Sequence, residues 1–214
     1  MTRPEHWPLR DLVLRTPRLE LRPDDDPGLF ELVEVAYRGV HPPEEMPFAT
    51  PWTDADPAYL GRGALQYFWS QRAELAPDRW SVHFLVRVDG AVVGVQTLTG
   101  IEFGITREVR TGSWLGMAHQ GRGIGTEMRA AVLLFAFDQL GALRARTKAF
   151  LDNAASNRVS ARLGYRPDGS ATVARRGDSA DLVRLTLDRA QFVRPDWPLT
   201  ATGVSACLGL LGAS

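Results

Sequence analysis

The sequence predicts a single mixed α/β domain, and three observations lead to that prediction. The composition of its 214 residues, 44% hydrophobic and 23% charged, is typical of a chain that buries one substantial core. Short strand-like and helix-like segments follow one another, separated by Pro and Gly, and no internal repeat is visible. A strand-helix-strand unit over residues 109–150 predicts a right-handed crossover, which places its two strands in parallel.

The first half of the chain carries five predicted elements. In chain order they are a strand over 12–22, helices near 27–38 and 57–75, and strands over 81–88 and 91–98. Pro17 confines the first strand to a sheet edge or a bulge, because proline cannot donate a ladder hydrogen bond. Asp89-Gly90 is a strong short signal for a β-hairpin between the last two strands.

The second half continues the mixed pattern. It predicts a strand over 109–116, a helix from a glycine-rich turn to about 140, a strand over 143–150, a helix over 154–163, and strands near 171–176 and 181–187. Gly164 follows the second helix as a typical left-handed cap. We therefore expect one domain over residues 1–192 and a C-terminal tail over 193–214, which packs on the domain or on a second subunit.

Charge and composition exclude several classes of function. Lys and Arg number 25, as do Asp and Glu, so no overall field favours a nucleic acid or a membrane surface as partner. The longest apolar run, 130–137, is too short to span a bilayer, and residues 1–7 lack the apolar core of a signal peptide. Cys207 is the single cysteine. These features predict a cytoplasmic protein without disulfides, and no metal is expected.

Three alternating glycines, Gly121, Gly123 and Gly125, open the predicted helix after the strand over 109–116. The first amides of a helix carry unpaired N–H groups and the positive end of the helix dipole, so they bind phosphate readily. Glycine lets a ligand approach because no Cβ intervenes, and Arg122 adds a positive charge at the rim. The turn therefore predicts a phosphate-binding site, although a plain connection between strand and helix is the simpler interpretation.

Two familiar phosphate motifs fit this turn poorly. A P-loop requires Lys-Ser/Thr after the last glycine, and none follows here. In the dinucleotide fingerprint, Thr126 replaces the third glycine, although Asp152 ends the next strand where a ribose-binding acid could lie. A nicotinamide-dependent enzyme therefore stays open as an alternative at this point.

A family resemblance favours a different ligand. Gln120-Gly-Arg-Gly-Ile-Gly125 resembles the Gln/Arg-x-x-Gly-x-Gly/Ala motif of the GNAT acyltransferase superfamily. Thr16–Arg22 is similar to the opening strand of the branch that includes the ribosomal-protein N-terminal acetyltransferases (RimJ/RimL-like). Ser113–Gly116 and Asp152–Tyr165 extend the likeness, which covers about residues 12–187. The resemblance implies a central, mostly antiparallel sheet of about seven strands, with a parallel, splayed pair in the middle and flanking helices. A homodimer is also implied.

The resemblance also implies a site for an acyl-coenzyme A, with the pyrophosphate on the glycine turn and the pantetheine arm in the gap between the splayed strands. The expected coenzyme-binding residues are Trp114, Leu115, Gly116, Met117, Gln120, Gly121, Arg122, Gly123, Ile124, Gly125, Thr126, Asn153, Ser156, Val159 and Ser160. Independently of any family, Ser156, Val159 and Ser160 share one face of a helix, where a slender arm could lie. Asn153 is also a natural helix cap.

Acyl transfer requires a neutral amine, a stabilised oxyanion and a proton for the departing thiolate. Many enzymes of this superfamily place a tyrosine acid seven residues after the motif asparagine, a position that is Ser160 here. The resemblance therefore implies Ser156 as the proton donor, with Tyr165 in reserve. The base stays open among Glu102, Glu108, His119 and a relayed water.

Three cations, Arg144, Arg146 and Lys148, alternate along the predicted strand over 143–150 and so share one face. Because unpaired charges are costly to bury, this face must meet acids, solvent or an active cleft. Pairing with acids along an exposed strand is one interpretation. In the other, Lys148 and Arg146 contact an anionic group of the acceptor or of a succinyl chain.

The proline-dense stretch over 39–52 could cover the core or form a wall of a binding cleft. The functional prediction is transfer of acetyl from acetyl-CoA to a primary amine, on a protein N-terminus or a small molecule. Direct attack in a ternary complex is expected, because no cysteine lies near the predicted site. Succinyl-CoA as donor and a non-catalytic acyl-CoA sensor are the alternatives.

Overall fold

The computed structural model describes residues 6–213, and within them nine strands form one sheet. The strands are β1 Val13–Arg15, β2 Glu20–Pro23, β3 Arg79–Val88, β4 Ala91–Ile101, β5 Glu108–Leu115, β6 Arg144–Phe150, β7 Arg166–Arg175, β8 Asp178–Asp188 and β9 Thr200–Thr202. Their order across the sheet is β7-β8-β6-β5-β4-β3-β2-β1-β9, and only β5 and β6 pair in parallel. The predicted mixed fold, with its central parallel pair, is confirmed. Residues 1–5, part of the opening stretch considered above, lie outside the described residues.

Helices cover both faces of the sheet. They are α1 Asp26–Tyr37, α2 Pro57–Ala73, α3 Phe103–Thr106, α4 Ile124–Leu134, α5 Ala154–Arg162 and α6 Val204–Cys207, and a π-helical turn over Phe135–Gln139 continues α4. Phe84 of β3 packs into the core cluster that holds α4, whereas the adjacent Leu85 packs with Leu29 and Leu32 of α1. Neighbouring residues of a strand point to opposite faces, so α1 and α4 lie on opposite sides of the sheet.

Local signals set the ends of these elements as the sequence predicts. Asp89 and Gly90 adopt φ of +49° and +84°, as the two central residues of a type I′ hairpin turn require. The side chain of Asn153 accepts a hydrogen bond from the Ser156 N–H (3.0 Å) and so caps α5. Gly164, with φ of +93°, ends that helix in the left-handed region.

The sheet has more strands than the seven expected, and the difference lies at its β1 edge. The predicted strand over 12–22 is two short strands, because the side chain of Thr16 accepts a hydrogen bond from the Leu19 N–H (3.0 Å) and closes a turn. The tail adds the ninth strand, since Thr200–Thr202 pairs with β1. Cys207 and Leu211 are fully buried, so the tail packs on the domain in this structure.

The parallel pair is splayed. β5 and β6 pair over three positions, from Glu108 with Arg144 to Arg110 with Arg146, and then diverge. Where the pairing ends, the Thr147 hydroxyl donates a hydrogen bond to the Thr111 carbonyl (2.9 Å). We call this point the apex of the splay. A cleft opens beyond it, between the two strands.

Candidate functional site

The cleft at the splay has a volume of about 630 Å³. Its walls come from the splayed ends of β5 and β6, the glycine turn, one face of α5 and the loop after α1. The residues that line it include Val40, His41, Glu45, Phe48, Thr111, Gly112, Ser113, Trp114, Leu115, Gln120, Gly121, Gly123, Gly125, Thr126, Arg129, Thr147, Lys148, Phe150, Asn153, Ser156, Arg158, Val159 and Arg162. Four of these side chains, from Arg129, Lys148, Arg158 and Arg162, are cationic.

The glycine turn presents backbone rather than side chains to the cleft. Gly121 and Gly123 have φ of +73° and +79°, and Gly123 is the N-cap of α4. A Cβ added at Gly121 would meet no atom within 4 Å. At Gly125 it would meet only the side chains of Val159 and Leu115, at 3.8 and 3.9 Å. The backbone at Gly121 and Gly125 therefore borders open space, from which an anionic group can approach the first amides of α4, whereas a Cβ at Gly123 would lie 3.3 Å from Arg18 Nη2.

A clamp from the β1–β2 turn holds the glycine turn in place. Glu127, in the first turn of α4, is buried and accepts hydrogen bonds from the Thr16 hydroxyl (2.6 Å), the Arg18 N–H (3.2 Å) and Arg18 Nε (2.7 Å). Arg18 Nη1 donates to the Arg122 carbonyl (3.1 Å) inside the turn itself. Sequence reasoning missed this role of Thr16 and Arg18, because more than a hundred residues separate the partners.

This clamp yields a first testable result. Glu127→Gln removes the charge that Arg18 neutralises and turns one acceptor oxygen into a donor, so we expect the free energy of unfolding to fall by about 1–3 kcal/mol. Glu20→Gln is the matched control, because Glu20 pairs with Arg15 on the surface and such pairs contribute about 0–1 kcal/mol. Urea titration followed by tryptophan fluorescence measures both. Equal losses in the two variants would contradict the clamp.

One edge of β5 lacks a strand partner beyond the apex. The carbonyls of Thr111 and Leu115 point away from β4, since they accept from the Thr147 hydroxyl and from Gln120 Nε2 (2.9 Å). Backbone direction alternates along a strand, so Ser113 directs its N–H and C=O into the same open edge. This edge can pair with an extended amide-bearing ligand.

The backbone positions that follow Leu115 are already occupied. The Gly116 N–H donates to the Val93 carbonyl and the Met117 N–H to the Gly39 carbonyl, each at 3.0 Å. Gln120 Nε2 also donates to the Val40 carbonyl (2.8 Å), so this side chain ties the loop after α1 to β5. Sequence reasoning placed the strand contact at 114–117, whereas the open edge lies at 113–115.

Helix α5 brings two predicted residues into the cleft. Ser156 and Val159 line it, and within residues 6–213 the Ser156 hydroxyl has no hydrogen-bond partner. Ser160 is buried below them, where its hydroxyl donates to the Ser156 carbonyl (3.0 Å) and accepts from Arg129 Nη1 (2.9 Å). Asn153 lines the cleft while capping the helix, so the two interpretations of that residue are compatible.

Tyr165 lies in the core rather than in the cleft. It is 6% exposed, and its hydroxyl is 3.3 Å from the Thr111 hydroxyl. Burial raises the pKa of this phenol above its ordinary value, although the nearby Arg129 acts in the opposite direction. A group so placed reaches the cleft only through Thr111, so the core interpretation of Tyr165 fits the structure better than a catalytic one.

The three cations of β6 separate into two kinds. Arg144 pairs with Asp188, and Arg146 pairs with Glu108 (2.6 Å) and also with Asp168. Arg146 does not line the cleft, so its assignment to an acyl or acceptor group is corrected to a structural ion pair. Lys148 is exposed at the rim of the cleft, and no acid among residues 6–213 pairs with it.

The loop after α1 forms the remaining wall. Its backbone is held by the β7–β8 hairpin, since Arg176 Nη1 donates to the carbonyls of Pro43 (2.9 Å) and Glu45 (3.0 Å). The rings of Phe48, Trp52 and Trp114 follow one another with centroids 5.3 and 5.4 Å apart, and the first and last of them line the cleft. The cleft-wall interpretation of this loop is therefore the better one.

The candidate bases from the sequence do not reach the site. Glu102, Glu108 and His119 are all absent from the lining of the cleft. His41 and Glu45 line it instead, and the His41 ring nitrogens are held by the Pro42 carbonyl (2.8 Å) and the Thr53 hydroxyl (2.7 Å). Sequence reasoning missed both residues because nothing local marks a loop as packed against a distant strand.

No helix within residues 6–213 is both long enough and apolar enough to cross a membrane. Over the same range, no three His, Cys, Asp or Glu side chains come together as metal ligands could.

Comparison with known proteins agrees with the fold. A sequence model described as an acetyltransferase (GNAT) domain matches residues 12–166. RimJ of Mycobacterium smegmatis, solved with a coenzyme A disulfide, superposes with a TM-score of 0.70 at 20% identity, over 94% of this chain and 95% of RimJ.

Two further solved structures are similar. RimL, a ribosomal-protein α-N-acetyltransferase in complex with coenzyme A, gives a TM-score of 0.64 at 20% identity, over 80% of this chain and 94% of RimL. The self-immunity acetyltransferase MccE, in complex with acetyl-CoA and AMP, gives 0.61 at 18% identity, over 80% and 93%. At these identities the structural likeness establishes the fold.

Proposed function

This chain belongs to the acetyltransferase (GNAT) family, and we propose that it transfers acetyl from acetyl-CoA to a primary amine by direct attack in a ternary complex. The observation that carries the proposal is the glycine turn, whose unobstructed amides open onto a cleft between splayed parallel strands. The structures of RimJ and RimL hold coenzyme A, which supports a ligand of the same class here.

The cleft suits each part of that donor. The amides that begin α4, at Gly123 and Gly125, would hold its pyrophosphate, and the cationic side chains of Arg158 and Arg162 lie along the same opening. The open edge of β5 at Ser113 would pair with the amides of the pantetheine arm. The donor supplies the acetyl group as a reactive thioester, and the protein positions it.

The chain's own groups account for the remaining chemistry. Backbone N–H on the open edge of β5 is placed to stabilise the oxyanion that develops on the carbonyl. Ser156 lines the cleft with its hydroxyl unengaged, as a proton donor to the departing sulfur would require. We assign the handling of the amine proton to the loop after α1, which we call the acceptor wall. Glu45 acts directly or through a water, and His41, whose Nε2 is bonded to the Thr53 hydroxyl, acts through that hydroxyl.

Two of the similar proteins support different classes of acceptor. RimL is named for the α-amino group of a ribosomal protein, which supports a protein N-terminus as acceptor. MccE was solved with AMP as well as acetyl-CoA, which supports a small molecule instead. Lys148, an exposed cation at the rim, is the observation that favours a succinyl donor as the second candidate.

The decisive experiment incubates the protein with acetyl-CoA or succinyl-CoA and a panel of amines and N-terminal peptides, and follows release of free thiol. We expect release with acetyl-CoA and at least one amine. Faster release with succinyl-CoA would establish the second candidate. Tight binding of both thioesters without release for any acceptor would indicate an acyl-CoA sensor. Binding of a nicotinamide dinucleotide and of neither thioester would refute the proposal.

Ser156→Ala tests the proton donor. Because general acid catalysis contributes roughly 10²–10⁴-fold, we expect kcat to fall at least tenfold while the Kd for coenzyme A stays within about twofold. The substitution keeps the Ser156 N–H that Asn153 caps, so α5 is not disturbed. Ser170→Ala, on exposed β7 outside the cleft, is the control and should change neither constant. A parallel loss of affinity would assign Ser156 to binding.

A further inference from the structure

Arg129 of α4 is a buried cation that no acid neutralises within residues 6–213. Its side chain is 4% exposed. Nη1 donates to the Ser160 hydroxyl (2.9 Å) and Nη2 to the Ser113 hydroxyl (3.3 Å), whereas Nε has no partner. Glu127, two residues earlier, is engaged with Arg18.

A guanidinium in this position is costly to the folded protein. Moving a charge out of water is unfavourable by several kcal/mol, and hydrogen bonds to neutral hydroxyls offset only part of that. Burial lowers the pKa of the Arg129 guanidinium from its ordinary value, but an arginine side chain stays protonated at physiological pH. An anion that bound beside Arg129 during the reaction cycle would offset this desolvation cost.

The surroundings of Arg129 place that anion inside the cleft. Arg129 lines the cleft, as does Ser113. It lies about 6–9 Å along α4 from Gly125 and Gly123, at a rise of 1.5 Å per residue, so it is well inward of the phosphate-binding amides. It approaches the apex of the splay, towards which an arm anchored on the glycine turn must extend.

Position 160 adds a second argument. The resemblance noted above puts a tyrosine acid there, and this chain has Ser160. The space beside the Ser160 hydroxyl is filled by the guanidinium of Arg129. A permanent cation therefore lies beside position 160, for which the resemblance implied a neutral proton donor.

We propose that Arg129 binds the coenzyme A thiolate and stabilises it as it leaves. The proposal rests on the function proposed above. As the amine nitrogen bonds to the acyl carbon, the C–S bond breaks and its electron pair stays on sulfur. Arg129 offers that sulfur a positive charge, while the proton lost by the amine passes to the acceptor wall and then to solvent. In the same step Ser156, which lines the cleft, donates a hydrogen bond to the departing sulfur and relays to it a proton from solvent water, so that its own hydroxyl is restored.

The other charged and titratable groups around Arg129 keep the electrostatic potential in this part of the cleft positive. Tyr165, below Arg129, is a phenol whose pKa burial raises, so it is neutral at physiological pH. Lys148 of β6 and Arg158 and Arg162 of α5 line the same cleft. On the opposite wall, Glu45 and His41 belong to the loop after α1. Among residues 6–213, Glu45 is the single carboxylate in the lining.

The test measures binding rather than turnover. Titration calorimetry gives the Kd of coenzyme A and of desulfo-coenzyme A, which lacks the thiol, from pH 6.5 to 9.5. Ultraviolet absorbance of the thiolate gives the titration midpoint of free and of bound coenzyme A. An opposite charge within about 4–6 Å lowers a pKa by 1–3 units. We therefore expect the bound thiol to titrate at least one unit below the free one, and coenzyme A to tighten about tenfold relative to desulfo-coenzyme A as pH rises.

Variants identify the residue responsible. Arg129→Met should return the bound thiol to the midpoint of the free one and leave desulfo-coenzyme A binding unchanged, and Arg129→Lys should keep part of the shift. An unshifted thiol in the wild-type protein overturns the proposal, whether or not any variant folds. So does an Arg129→Met variant that changes only the preference for succinyl-CoA over acetyl-CoA. Failure to bind either compound at any pH would instead refute the proposed function itself.

Discussion

Gly123→Val is expected to abolish coenzyme A binding, with affinity falling at least about a hundredfold, or about 2.7 kcal/mol. Gly123 caps α4 with φ of +79° and ψ of −6°, and a β-branched residue in this region is a strained outlier. Gly123 also lines the cleft, and a Cβ there would lie 3.3 Å from Arg18 Nη2, so the valine side chain would crowd the turn that the phosphates must approach. The strained backbone and the lost space both lower the affinity for coenzyme A.

Two control variants separate these causes. Gly141→Val imposes comparable strain, since Gly141 has φ of +73°, but it lies outside the cleft and its Cβ would meet no atom within 4 Å. We expect it to lower stability and leave coenzyme A affinity unchanged. Gly125→Ala adds a Cβ that makes only ordinary contacts, at 3.8 and 3.9 Å, so it should bind nearly as the wild type does. Titration calorimetry compares all three, and unchanged affinity in Gly123→Val would remove the basis of the site.

The sequence could locate the glycine turn and α5 because their signals are local. Positive φ at Gly121 and Gly123, and the cap at Asn153, are properties of a few consecutive residues. Arg129 could not be recognised in this way. It sits on a helix between apolar residues, and it is buried only because α5 and the splayed β5 close over it from elsewhere in the chain.

The same distinction applies to the fold. The Asp89-Gly90 hairpin can be predicted from the sequence because φ above zero at both positions is a local requirement. The edge of the sheet could not be predicted locally, because the outer partner of β1 is Thr200–Thr202, almost two hundred residues away in the chain. The sequence of the tail indicates only a weakly apolar segment. In the structure, Leu211 is buried in the main core cluster.

The second large effect concerns stability and pH, on the face of the sheet away from α4. His83 of β3 is 1% exposed, with Nδ1 2.9 Å from the Thr97 hydroxyl and its ring 5.0 Å from that of Phe68. Burial, and then the charge of Arg72, lowers its pKa to about 4. The carboxylate of Asp24 is buried nearby, 2.8 Å from Arg72 Nε but without hydrogen-bond alignment. Burial raises the pKa of Asp24 to about 6, against the opposing effect of Arg72.

These two groups act on stability in opposite directions over the same pH range. Below pH 6.5 the unfolded chain protonates His83 and the folded protein does not, so stability is lost as pH falls towards 4, by about 3 kcal/mol in all. Below pH 6 the folded protein protonates Asp24 and the unfolded chain does not until about 3.8. Stability is therefore gained over that range, again by about 3 kcal/mol. The two contributions nearly cancel in the wild-type protein.

Substituting either residue should reveal the pH dependence of stability that the other one causes. We expect Asp24→Asn to lose about 3 kcal/mol more than the wild type between pH 6.5 and 4, because the change at His83 is then uncompensated. His83→Asn should move the opposite way and gain stability relative to the wild type as pH falls from 6 to 4. The carboxylates that arginines hold at low pKa, such as Asp138 and Asp188, titrate below this range and are common to all three proteins. Urea unfolding at half-unit pH intervals measures the three curves. Parallel curves for the three proteins would mean that neither group titrates differently in the folded and unfolded states. We expect the curves of the two variants to diverge from that of the wild type in opposite directions, because both groups are buried.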